Sequence, residues 1–166
     1  MNMQRIVEEI RKCLVNQCRF AALALALTIP NVCATYEKGR KATRYDYAHW
    51  CNQWLPDDYD ISGEVIYCLR CAFLHALDAD FENENFYKEH QKMQSRSGQI
   101  KPETFKFFFP HDDTGRTVVY LQITDEEIHH EICVGRLASD LIAAYESFVE
   151  RNPNFSHEFT NLWIEG

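Results

Sequence analysis

The sequence predicts a mainly α-helical bundle of four principal helices, with a β-hairpin inserted near residues 104–123. Three observations predict it. Apolar residues recur at spacings of three and four over most of the chain, capping residues and prolines bracket those runs, and two short strand-like stretches flank an Asp- and Gly-containing turn instead.

The first helix is expected over 3–28, where Ile6, Ile10, Leu14, Cys18, Ala21 and Leu25 form a stripe and Pro30 stops the run. A loop follows from Asn31 to Lys41. It contains Gly39 and a basic cluster of Lys38, Arg40 and Lys41 that Arg44 continues. The second helix, about 43–55, has Thr43 as N-cap and an aromatic stripe of Tyr47, Trp50 and Trp54, read as core. The third, about 62–78, is the most apolar. Ser62 caps it and Glu64 faces the positive end of its macrodipole, while Val65, Ile66, Leu69, Phe73, Ala76 and Leu77 form its main stripe. A helix apolar on most sides belongs at the centre of a bundle or between subunits.

Residues 79–103 are polar, with Gly98 and Pro102, and read as an irregular excursion. Phe105, Phe107 and Phe109 alternate, Arg116–Ile123 is β-branched and aromatic, and Asp112–Gly115 between them is turn chemistry; together these predict the hairpin. Thr124 to Glu127 has the capping-box pattern for a last helix, about 125–151, whose stripe is Ile128, Ile132, Leu137, Leu141, Tyr145 and Phe148. Phe159, Leu162, Trp163 and Ile164 are expected to dock on the body. With no repeat or linker, 166 residues at 46% hydrophobic content predict a single domain over 1–166.

Seven scattered cysteines, an odd number, and a charged amphipathic opening from Arg5 to Lys12 predict free thiols in a reducing compartment and a cytoplasmic location. The apolar run Phe20–Ile29 falls short of the roughly 20 residues that span a bilayer, so no membrane helix is expected. The net charge of −8 excludes nucleic-acid binding by a global basic field and leaves only local contacts.

Arg70 and His75 are the candidate catalytic residues. An arginine in an apolar helix carries a desolvation cost unless it is paired or faces a wet cavity. Histidine moves protons near neutral pH, and the planar guanidinium stabilises charge on phosphorus, so the pair suits metal-independent RNA cleavage. The plain alternative is that Arg70 pairs with Asp78 or Asp46 and fixes the bundle. Positions five apart on a helix point about 140° away from each other. A two-fold dimer that brings two such helices together would offer one phosphate both groups.

Three weaker constellations have ordinary structural readings. Cys68, Cys71 and His75 share a helix face but lack the fourth ligand of a structural zinc site. Glu127, His130 and Glu131 fit a solvated helix face, so no metal is expected. Lys38, Arg40, Lys41 and Arg44, beside Tyr45 and Tyr47, mix cations and aromatics as single-stranded RNA sites do, but also fit a charged loop. No Gly-rich phosphate loop, nucleophile elbow or Walker pattern occurs, and no cofactor is expected.

The stretch Tyr67-Cys68-Leu69-Arg70-Cys71-Ala72-Phe73-Leu74-His75 resembles the Y-x-L-R-C-x-x-L-H segment of a prokaryotic branch of the HEPN (higher eukaryotes and prokaryotes nucleotide-binding) superfamily. Ile29-Pro30, Gly39 and Tyr47-x-x-Trp50 resemble that branch's preceding loop and helix. The resemblance implies a HEPN-like helical bundle that forms a homodimer, with Arg70 and His75 of both subunits lining a shared cleft. It further implies action on RNA as a metal-independent endoribonuclease, with Arg70 stabilising phosphate and His75 transferring the proton, and it leaves room for an antitoxin-like protein partner. The same family includes non-catalytic binding and scaffold proteins. Cys71 stands where active members often carry a polar residue, and Ala76 follows the histidine where a small residue or glycine is usual.

Overall fold

The computed structural model describes residues 2–56, 59, 61–76, 88, 103–108, 118–123 and 128–155. Over these the chain is mainly helical: α1 (Met3–Val15), α2 (Arg19–Ala26), α3 (Ile29–Lys38), α4 (Arg44–Trp54), α5 (Gly63–Ala76), β1 (Glu103–Phe108), β2 (Val118–Ile123), β3 (Ile128–Cys133) and α6 (Val134–Arg151).

The helix expected over 3–28 is two helices. Residues 16–18 break it, with Gln17 in the left-handed region at φ 59°. The break rotates the helical phase, so Cys18 and Ala21 face solvent while Ala22, Leu23 and Ala26 enter the core. The loop expected over 31–41 is mostly helix. Pro30 opens α3 within its first turn, where its missing N–H costs nothing, and Gly39 closes it in the left-handed conformation at φ 61°. Together α2 and α3 make the segment Arg19–Lys38 longer than the apolar run alone suggests. By length and composition it could cross a membrane, with a mean hydropathy of 1.3, yet half of that window is buried, as in a core helix.

The α4 expectation holds. Thr43 Oγ1 accepts the Asp46 N–H at 3.3 Å and Asp46 Oδ2 accepts the Thr43 N–H at 2.9 Å, a reciprocal capping box. In α5, Ser62 Oγ accepts the Val65 N–H at 3.4 Å, and Asn52 Oδ1 of α4 accepts the Gly63 N–H at 2.6 Å. Gly63 is required where the two helices touch, because a Cβ there would lie 2.1 Å from the Ala48 carbonyl oxygen. Val65, Ile66, Leu69 and Phe73 are buried as predicted, and the core continues through Leu137, Leu141, Tyr145 and Phe148 of α6.

The sheet differs from the hairpin expected over 104–123. Strands form at both expected places, but they do not pair with each other: the order is β1-β3-β2. The central β3 runs parallel to β1 and antiparallel to β2, with an irregularity between Val118 and Tyr120. It takes the first residues of what reads as the last helix, so α6 starts at Val134 and not near 125. Phe107 of β1 pairs with Ile132 of β3; Ile132 is buried, and the Phe107 ring meets Phe73 of α5 edge-on at 5.2 Å. That contact seats the sheet on the bundle. The excursion at 79–103, the turn at 112–115, the capping pattern at 124–127 and the aromatic tail from 156 onward lie outside the described residues, apart from Lys88 and Glu103.

Candidate functional site

Arg70 sits on α5 between Leu69, which is fully buried, and Cys71. Its side chain is half-buried, and its Nε is shut off from solvent with no hydrogen-bond partner. Its guanidinium carbon stands 5.8 Å from the centre of the Tyr47 ring on α4. Tyr47 is buried completely, donates its hydroxyl to the Leu27 carbonyl at 3.0 Å, and meets the Tyr67 ring edge-on at 5.4 Å.

Among the described residues no carboxylate pairs with Arg70. Asp46, one of the two acids that could have neutralised it, is occupied elsewhere: it accepts from the Thr43 N–H and hydroxyl and from the Arg40 guanidinium at 2.8 Å. The Thr43 hydrogen bonds, aided by Arg40, hold the Asp46 carboxyl well below the usual carboxylate range. Asp78, the other acid, lies outside the described residues.

Burial pushes the Tyr47 phenol well above its ordinary value, with Arg70 pulling weakly the other way. Burial also raises Tyr67, helped by Cys71 and opposed by Arg70 and Arg44. Both tyrosines are therefore neutral, and neither neutralises the arginine. Among the described residues the cluster presents a cation backed by aromatic rings, with no carboxylate beside it.

His75 lies in the last turn of α5, five residues beyond Arg70, and its side chain is outside the described part of the structure. The basic cluster separates into individual roles. Lys38 ends α3 and is exposed, as is Lys41. Arg40 is held by Asp46 and by the Lys41 carbonyl at 3.0 Å, so it serves the α4 cap. Arg44 opens α4, half-buried, bonded to the Tyr45 hydroxyl at 3.0 Å with its guanidinium 4.9 Å from that ring's centre.

The chain matches no family model, no curated protein and no solved structure.

Among the described residues no group of three His, Cys, Asp or Glu converges as a metal site. Cys68 is buried, and His130 and Glu131 lie on the strand β3 and not on the helix expected to begin near 125. An open groove of about 490 Å³ runs between α1 and α6, lined by Gln4, Val7, Arg11, Tyr145, Glu146 and Val149 among others. The Arg11–Glu146 ion pair crosses it, and it shares no residue with the Arg70 cluster. What sequence reasoning missed is the contact of Tyr47 with Arg70. The place of Tyr47 in an aromatic stripe identifies it as core, and nothing in the spacing signals that its ring supports the arginine of the next helix.

Proposed function

We propose that this chain is a HEPN-like protein that acts on RNA as a cytoplasmic homodimer, cleaving the phosphodiester without a metal ion. Arg70 stabilises the charge on phosphorus. His75 takes the proton from the attacking 2′-hydroxyl, or returns one to the departing 5′-oxygen as the phosphorus–oxygen bond breaks and a cyclic phosphate forms. A neighbouring subunit supplies the second pair of groups, since one helix cannot aim both at the same phosphate.

The observation that carries this reading is the half-buried Arg70 with no carboxylate partner among the described residues and an unsatisfied Nε. A purely structural arginine in an apolar helix is normally neutralised by an acid, because the desolvation cost is otherwise unrecovered. One left un-neutralised suits an anion that arrives from outside. Tyr45 and Arg44 at the start of α4 add an exposed aromatic and a second cation for an unpaired nucleotide.

A non-catalytic binding or scaffold role of the same fold is the second reading, favoured by the net charge of −8. Purified protein incubated with single-stranded RNA in EDTA separates the two. The nuclease reading expects cleavage that His75→Ala and Arg70→Met each abolish while both variants unfold at temperatures close to that of the wild type. Cleavage that persists in both variants, or none in the wild type, rejects it; RNA retention without cleavage supports the binding role. A monomer by light scattering removes the composite site.

A further inference from the structure

Burial, a hydrogen bond and a second aromatic ring hold Tyr47 in place. It is inaccessible to solvent on α4, its hydroxyl is tied to the carbonyl of Leu27 at the end of α2, and Tyr67 of α5 closes on its edge. Arg70 stands over it. The choice of an aromatic ring over a carboxylate at this place has a chemical consequence. A carboxylate would hold the guanidinium by cancelling its charge and occupying two of its donors. A ring quadrupole holds the cation while leaving both the charge and the terminal N–H groups for another ligand.

We propose that Tyr47 is a positioning residue, which keeps Arg70, paired with no carboxylate among the described residues, oriented for a phosphodiester oxygen. This rests on the reading of Arg70 as the phosphate-binding residue. Because burial keeps the Tyr47 phenol protonated, the ring stays a neutral quadrupole and does not become a phenolate that would compete with the substrate. The hydroxyl and the ring do separate things: the first anchors to Leu27, the second faces Arg70.

Graded fluorination of the ring tests this without changing its shape. Phenylalanine and its mono-, tri- and pentafluoro analogues are placed at position 47 of the full chain. Binding of a fluorescent single-stranded DNA oligonucleotide, which lacks the 2′-hydroxyl and is not cleaved, is followed by anisotropy, with thermal unfolding recorded in parallel. Affinity is expected to fall stepwise as fluorine withdraws the ring's negative face, reaching about tenfold in the pentafluoro protein, the scale of a desolvated cation–π contact. Melting temperatures should stay close together. A flat affinity series overturns the role of Tyr47. Arg70→Met, measured beside it, keeps the two ideas apart: unchanged DNA binding in that variant removes Arg70 itself from the phosphate site, whereas lost binding with a flat fluorine series removes only the ring.

Discussion

Gly63→Ala is the substitution whose outcome the structure determines most sharply, because two effects of opposite sign meet there. Alanine is the better helix former, and replacing a helical glycine ordinarily gains up to about 1 kcal/mol. Here the new methyl would sit 2.1 Å from the Ala48 oxygen, 2.8 Å from the Ala48 carbonyl carbon and 2.9 Å from Asn52 Oδ1. Two of those three atoms are backbone and cannot rotate away. Ordinary contact lies near 3.5 Å, so α4 and α5 must part by about 1.4 Å at this point. The parting also strains the Asn52–Gly63 hydrogen bond and loosens one of the tightest helix pairs in the fold. Overpacking of this kind costs about 1–3 kcal/mol and more where backbone must move. The steric cost wins, and a net loss of at least about 2 kcal/mol is expected. Urea denaturation followed by both circular dichroism and tryptophan fluorescence measures it. A second effect follows from the same movement. Arg70 is 5.8 Å from the Tyr47 ring seven residues along the same seam, so a parting that extends this far carries it past the roughly 6 Å reach of a cation–π contact. Gly63→Ala should therefore weaken single-stranded DNA binding as well as stability. A variant as stable as the wild type, or stabilised by the propensity gain alone, would refute the close-approach argument.

Two further outcomes concern titration and reactivity. Asp46→Ala removes half of the α4 capping box and the Arg40 pair, and should cost about 1 kcal/mol at neutral pH. The folded-state pKa of Asp46 is depressed, so its contribution is fully present above the unfolded carboxylate value, near about 4, and is lost as pH falls through the folded value. The stability gap between wild type and variant should be constant from neutral pH down to that range and shrink below it; a gap that grows in acid contradicts the assignment. Among the thiols, Cys18 is exposed, whereas Cys33 and Cys51 are buried and pushed up by that burial. A disulfide reagent near pH 8 should modify Cys18 in the native protein and reach Cys33 and Cys51 only on unfolding. Labelling of all three at similar rates would mean that the α3–α4 core opens readily.

The readable parts of the fold are those where one residue has one physical consequence. Thr43 and Ser62 mark helix starts because their side chains satisfy orphan N–H groups, and both do so. The misread parts are those where one pattern serves two structures. Ile128 and Ile132 are four apart, a separation that places side chains together on a helix and also on the same face of a strand, so β3 passes for the first turns of the last helix. Pro30 reads as a stop, although a proline equally opens the next helix. The break before α2 has no glycine or proline to announce it, only Gln17 in a conformation such residues seldom adopt. At the site, Arg70 stands out from its apolar neighbours in the sequence alone. Its partner does not, because the cation–π contact joins residues 23 positions apart and depends on a helix pairing that no local pattern encodes.

The junction between β3 and α6 has a mechanical meaning. Cys133 is the last strand residue and Val134 the first of the helix, both buried, with nothing between them to act as a hinge. The central strand thus runs directly into an 18-residue core helix. A ligand or second chain that pairs with the outer edge of β1 or β2 is therefore coupled, through the central β3, to the start of a helix whose buried face includes Phe148, and altered packing around Phe148 is the readout expected of such a contact.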